Sequence, residues 1–189
     1  LPDKTLLMST GDAANTSLSQ NHSSLNGKIL RLNADGSIPA DNPFPDSYVW
    51  SLGHRNAQGL VRHPNGLIYS SEHGPSSDDE INVIRKGGNY GWPTVLGPVD
   101  ASEQQFAQAN SVTGSILHWT PTIAPSDLVW YTHERLPAFR NKLLMSVLKN
   151  EMLVAVTLST DGLRATGQET FLRNQFGRLR DVSVAPDGR

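Results

Sequence analysis

The residues densest in groups able to do chemistry are Glu72-His73-Gly74-Pro75-Ser76-Ser77-Asp78-Asp79-Glu80-Ile81-Asn82, continued by Gly87-Gly88-Asn89-Tyr90-Gly91-Trp92-Pro93. Here the acidic run Asp78-Asp79-Glu80 and a histidine sit among glycines and prolines around one short apolar strand. Hard cations favour clustered carboxylate and carbonyl oxygens, and Gly or Pro can turn several backbone carbonyls toward one point. Asp79, Glu80 and the carbonyls of Gly74, Pro75 and Tyr90 are therefore candidate ligands for a calcium ion. The spaced acidic ligands and final Glu of an EF-hand are absent, and the ordinary alternative for an acidic run is a solvated turn.

Two cationic constellations accompany it. Gly53-His54-Arg55-Asn56-Ala57-Gln58-Gly59-Leu60 places a guanidinium beside an amide between glycines. A fixed fork of donors next to an amide suits a planar polyanion, and the plainer reading is a turn whose Arg pairs with a neighbouring carboxylate. Lys149-Asn150 and Arg178-Leu179-Arg180-Asp181 form the other. Alternate strand residues share a face, so Arg178 and Arg180 are expected side by side, where like charges repel unless an anion or carboxylates lie between them.

Composition narrows the field. The chain has 189 residues, a net charge of -2, 37% hydrophobic residues and no cysteine. This suffices for a domain core, but no apolar run is long enough for a membrane span. Lys and Arg are scattered, giving no field for a nucleic-acid backbone. Disulfides and thiolate chemistry are excluded, so a metal must use oxygen or His. The six His, His22, His54, His63, His73, His118 and His133, lack zinc-ligand spacing, and no serine-hydrolase elbow, P-loop or dinucleotide-binding glycine motif is present. With Leu1 first and a turn at Ala185-Pro186-Asp187-Gly188-Arg189 last, the chain reads as a piece truncated at both ends.

The elements that must position these groups are short β-type runs between turns: Thr5 to Ser9, Lys28 to Leu32, Tyr48 to Leu52, Leu67 to Ser71, Ile81 to Ile84, Ser115 to Trp119, Leu128 to Tyr131, Lys142 to Val147, Met152 to Leu158 and Leu179 to Val184. The expected fold class is all-β, in one domain over 1–189. Recurring Pro-Asp/Asn and Asp-Gly turns favour propeller blades over a sandwich. Asp12 to Asn26 reads as a polar loop, Gly36 to Ser47 as a proline-rich connection, and Asp100 to Thr113 as a short helix or loop.

Taken in order, Gly27-Lys28-Ile29-Leu30-Arg31-Leu32-Asn33, Asp35-Gly36-Ser37-Ile38-Pro39, Asp41-Asn42-Pro43, Gly53 to Leu60 and Glu72 to Pro93 resemble the soluble quinoprotein glucose and aldose-sugar dehydrogenases, the glucose/sorbosone dehydrogenase propellers. Pro121-Thr122-Ile123-Ala124-Pro125-Ser126 and Arg178 to Gly188 fit too, so the likeness spans nearly the whole chain.

The resemblance implies a six-bladed β-propeller, of which this chain supplies three to four blades. It also implies pyrroloquinoline quinone (PQQ) and calcium as cofactors, and oxidation of the C1 hydroxyl of aldoses to lactones. Arg55, Asn56, Thr122, Lys149, Arg178 and Arg180 match PQQ-contacting positions. The carbonyls of Gly74 and Pro75 match holders of the calcium on the quinone, and Glu80 and Tyr90 match ligands of a second calcium, with Asp79 a further candidate. An external electron acceptor, room for a homodimer, and a periplasmic or secreted location are implied as well. Where glucose-specific members carry Trp-Pro-Thr this chain reads Thr120-Pro121-Thr122, with Trp119 displaced by one. The family's general-base His and a PQQ-contacting Gln would precede Leu1, so the 189 residues alone are expected to be inactive, with His54 and His73 structural. The rival class is a non-catalytic propeller used for binding.

Overall fold

The computed structural model describes Leu1–Arg189. Its strands are β1 (Leu6–Thr10), β2 (Lys28–Leu32), β3 (Val49–Leu52), β4 (Ala57–Arg62), β5 (Ile68–Glu72), β6 (Asp79–Ile84), β7 (Leu117–Trp119), β8 (Pro125–Tyr131), β9 (Lys142–Val147), β10 (Met152–Leu158) and β11 (Ala165–Phe171). One short helix, α1 (Gln104–Ala109), lies in the segment expected to hold a helix or a loop. The strands form three sheets, β1-β2-β3, β4-β5-β6-β7 and β8-β9-β10-β11. Each is a meander of consecutive strands, the pattern of a propeller blade, and the all-β expectation is met. No helix is long and apolar enough to cross a membrane.

Two compact units are present, one of Leu1–Ala57 with Ile84–Ser115, the other of Gln58–Val83 with Ile116–Arg189. In the first, β1 and β2 pair antiparallel from Leu6↔Leu32 to Thr10↔Lys28, and Leu30, Val49 and Leu52 pack with Phe44 and Tyr48. Buried Arg31 ties the N-terminal turn to the proline-rich connection 36–47. It bonds Asp3 at 2.6 Å and Asp41 at 2.8 Å, and its guanidinium lies 5.0 Å from the Trp50 ring. Hydrogen bonds from Thr5, then from Arg31, hold the Asp3 carboxyl well below the usual carboxylate range.

In the second unit Tyr69, Ile81 and Val83 pack against Leu143, Met145, Val147, Val154 and Val156. Leu144, Leu153 and Ala155 face the other way and join Tyr131 in a second cluster. Successive strand residues point to opposite faces, so burial on both sides makes β9 and β10 nearly continuous apolar runs. Their bounds, Lys142–Val147 and Met152–Leu158, coincide with those read from sequence.

Sequence reading misses β4 and β11. β4 carries Gly59, where an added Cβ would lie 2.6 Å from the Leu128 nitrogen, so the glycine permits close approach to β8. β11 is exposed and polar between its ends, where Ala165 and Phe171 pack on the core clusters, and is held mainly by its ladder to β10. Conversely, the expected strand Leu179 to Val184 does not form. Its polar groups meet side chains instead: Ser126 Oγ donates to the Arg180 carbonyl at 2.6 Å, and the Val182 N–H donates to Asp127 Oδ2 at 3.3 Å. Its Leu179, Val182 and Val184 still pack on the Tyr131 cluster.

Candidate functional site

Asp79, at the start of β6, organises the second unit's candidate residues. Its side chain is fully buried and accepts from three backbone N–H groups: Gly74 at 2.8 Å, Ile123 at 2.6 Å and Ala124 at 2.7 Å. A carboxylate buried without a cation is stable only when several donors meet it, and these three do so. The turn before it is tight enough that a Cβ on Gly74 would stand 1.8 Å from the Ser77 carbonyl oxygen. Asp78 and Ala124, on either side of the cluster, have left-handed φ values of 60° and 57°, a conformation that side chains disfavour. Asp79 therefore holds the Gly74-Pro75 turn against the strand entering β8.

The cations lie next to this cluster. The N–H groups of Leu148 and Lys149 donate to the carbonyls of Ala124 and Ile123, at 2.8 and 3.0 Å, and Lys149 Nζ donates to Thr122 Oγ1 at 3.0 Å. His73 Nε2 contacts the Pro125 carbonyl at 2.6 Å. The bond from Ser126 to the Arg180 carbonyl brings the Arg178–Arg180 segment to the same strand. Ion pairs in this unit join Arg140 to Glu134, Lys142 to Glu169 and Arg189 to Asp187; Lys149, Arg178 and Arg180 belong to none of them. Lys149, Arg178 and Arg180 are all exposed, and exposed cations are suited to a polyanionic ligand.

The other expected residues are placed as follows. Glu80, half-buried on β6, accepts from Asn82 Nδ2 at 3.0 Å, and the buried Asn82 Oδ1 has no partner. Trp119 donates from Nε1 to Gln168 at 3.0 Å. Arg55, Asn56 and Tyr90 lie in the first unit. There the Arg55 guanidinium stands 5.5 Å from the Trp92 ring, and the Arg55 carbonyl accepts the Asp12 N–H at 2.9 Å. The Asn56 side chain packs beside Gly11. Tyr90 is buried, stacked on His54 at 4.6 Å, and its hydroxyl accepts the Arg85 N–H at 2.9 Å. His54 is wholly buried with Nε2 2.8 Å from Ser51 Oγ.

Sequence reasoning passed over Asp127, Ser126, Asn82 and Lys28. Burial, and then a hydrogen bond with Asp181, raise the Asp127 carboxyl above its usual range. For Asn82 the signal was a polar residue on the same face as Glu80 in a buried strand. No three His, Asp or Glu side chains converge. A cation here would depend on backbone carbonyls and amide oxygen, a donor set that fits a hard cation such as calcium. The buried orphan oxygen of Asn82 beside Glu80 fits such an ion as well.

Comparison with known proteins shows the family. The aldose sugar dehydrogenase YliI of Escherichia coli K12 is 32% identical over 97% of this chain and 52% of its own length. Quinoprotein glucose dehydrogenase B of Acinetobacter calcoaceticus is 60% identical over 43% of this chain and 18% of its own. The PQQ-bound aldose sugar dehydrogenase of Streptomyces coelicolor superposes with a TM-score of 0.82 at 36% identity, over 99% of this chain and 51% of that one. The chain thus spans about half the length of the YliI and Streptomyces proteins. The family model for glucose/sorbosone dehydrogenase matches residues 1–189, and the chain belongs to that family.

Proposed function

We propose that the protein carrying this chain is a PQQ- and calcium-dependent dehydrogenase that oxidises the C1 hydroxyl of aldoses to lactones and passes the electrons to an external acceptor. The observation that supports this reading is the hydrogen-bonded cluster in which Asp79 fixes the Gly74-Pro75 turn to Ile123 and Ala124, with Lys149 on Thr122 and the Arg180 backbone on Ser126. PQQ bears several carboxylates, and those cations, with the Thr122 hydroxyl, offer charge-assisted hydrogen bonds to them. Arg55 and Asn56 are assigned to the same cofactor by their motif. The Gly74 and Pro75 carbonyls would hold a calcium ion, and Glu80 with the Asn82 amide oxygen fits a second one. When bound, a quinone polarised by calcium would supply the acceptor for the hydride, which carries the electron pair from the sugar C1, while the hydroxyl proton passes to a base. The residues of this chain would bind and orient the cofactor: the Arg forks would offer paired donors to its carboxylates and Lys149 a point charge. A periplasmic or extracellular location is part of the proposal.

The test is reconstitution. Apo-protein from the complete gene, mixed with PQQ and calcium and given an aldose and a dye acceptor, should reduce the dye in a sugar-dependent way, with a PQQ-induced absorbance change. Absence of both results would refute the reading. Chelation with EGTA should lower the melting temperature of the calcium-loaded protein, since an ion that binds only the folded state stabilises it by mass action.

A further inference from the structure

Lys28 is fully buried, and no carboxylate pairs with it. Its Nζ instead donates to three backbone carbonyls, Leu18 at 2.7 Å, Ser19 at 3.0 Å and Asn26 at 2.7 Å. An ammonium has three N–H donors, so the carbonyls use its whole donor capacity. Burial is unfavourable to the charge and lowers its pKa to about 8, leaving it protonated at neutral pH. A charged side chain held this way is a cross-link at the centre of the polar loop 12–26.

The residues it cross-links are the ones that grip Gly53 and His54. The Ser19 carbonyl also accepts the Gly53 N–H at 2.9 Å, and the Gly27 carbonyl accepts the His54 N–H at 3.1 Å. Ser19 Oγ donates to the His54 carbonyl at 2.7 Å. The packing leaves no slack: a Cβ on Gly27 would stand 2.2 Å from Ser19 Oγ and 2.4 Å from the His54 carbonyl oxygen. The next residue on, Gln20, exchanges hydrogen bonds with Asn89 at 2.8 and 2.9 Å and donates to the Trp92 carbonyl at 2.8 Å. The Arg55 guanidinium rests over that same Trp92.

We infer that Lys28 is a positioning residue for the Arg55-Asn56 pair: its ammonium fixes loop 12–26, the loop fixes the Gly53-His54 peptide, and that peptide aims the two side chains. The inference rests on the assignment of Arg55 and Asn56 to PQQ made above, and carries it to a residue that reaches them through Ser19 and the Gly53-His54 peptide.

The test compares wild type with Lys28→Met, which keeps the stem and removes the charge, and with Leu30→Ala, a core change in the same unit that lowers stability while leaving the loop's hydrogen bonds in place. All are made in the complete gene product and measured well below their melting temperatures. In Lys28→Met the amides of Gly53 and His54 should exchange hydrogen about 10-fold faster or more, and PQQ should bind about 10-fold more weakly, the effect of losing one hydrogen bond of ordinary strength. Leu30→Ala should change neither. A double-mutant cycle of Lys28→Met with Arg55→Ala should be non-additive in PQQ affinity, because one acts through the other. Unchanged exchange at Gly53 and His54, equal effects in Leu30→Ala, or an additive cycle would overturn the inference. If the amides are exposed in Lys28→Met while wild type itself has no affinity for PQQ, the clamp stands and the cofactor assignment falls.

Discussion

Replacing Asp79 isolates the contact that holds the second unit's candidate residues together. Asp79→Ala removes a fully buried carboxylate and leaves the N–H groups of Gly74, Ile123 and Ala124, now 2.6–2.8 Å from an oxygen, without an acceptor. Hydrogen bonds to a charged group contribute about 1.5–3 kcal/mol each, and a water entering the space left by the side chain recovers part of the sum. The expected loss is about 3–5 kcal/mol. Asp79→Asn is the informative companion. Its oxygen can still meet Ile123 and Ala124, while its amide nitrogen faces the Gly74 N–H, so one bond is lost and two donors confront each other; about 1–3 kcal/mol is expected. In urea, with a slope of about 2 kcal/mol per molar, the Ala variant should unfold at a midpoint lower by about 2 M and the Asn variant by about 1 M. Because Gly74 is released in both, calcium should also raise the melting temperature less than in wild type. The reasoning fails if Asp79→Ala lies within about 1 kcal/mol of wild type, or if the Asn variant is the less stable of the two.

Further consequences are open to measurement. Arg180→Ala should weaken PQQ binding about 10-fold or more, and Arg180→Lys should recover only part of it, since a point charge does not replace a planar fork; equal affinities across the three would remove Arg180 from the site. The raised Asp127 carboxyl keeps its proton in the folded state at pH values where the unfolded chain, with an Asp near 3.9, has released it. Its contribution is therefore present at low pH and lost as pH rises through the folded value. Asp181→Asn, by removing the like charge, should flatten that decline and raise stability at neutral pH by about 1 kcal/mol or less; an unchanged pH profile would show that the two carboxyls do not interact. Gly53→Ala should cost about 2 kcal/mol or more, because φ is 77° and the new methyl would stand 2.3 Å from Asn89 Oδ1; a neutral change would mean that the Gly53 turn can relax.

Local sequence was informative where physical chemistry is local. Apolar continuity marked β9 and β10 because both of their faces are buried, and the order of the Gly-, Pro- and charge-bearing motifs pointed to the family. The strand at Leu179 to Val184 was wrongly expected because its alternation is real but serves packing on the Tyr131 cluster, while Ser126 and Asp127 take the polar groups a ladder would have used. β11 was invisible for the opposite reason: between Ala165 and Phe171, which pack at its ends, its residues are polar and exposed and are held by pairing with β10, which no property of their own announces. Asp79 was read as one more oxygen for a cation, yet folding surrounds it with N–H donors from segments more than 40 residues apart. Lys28 looked like an ordinary strand lysine, and only the closing of loop 12–26 over it made its ammonium a cross-link. The sequence by itself determined the all-β class, the family and the candidate ligands, because residue type and order carry those. The roles of Asp79 and Lys28 were decided by tertiary structure, since a charge's function depends on which distant backbone groups are brought within hydrogen-bond reach.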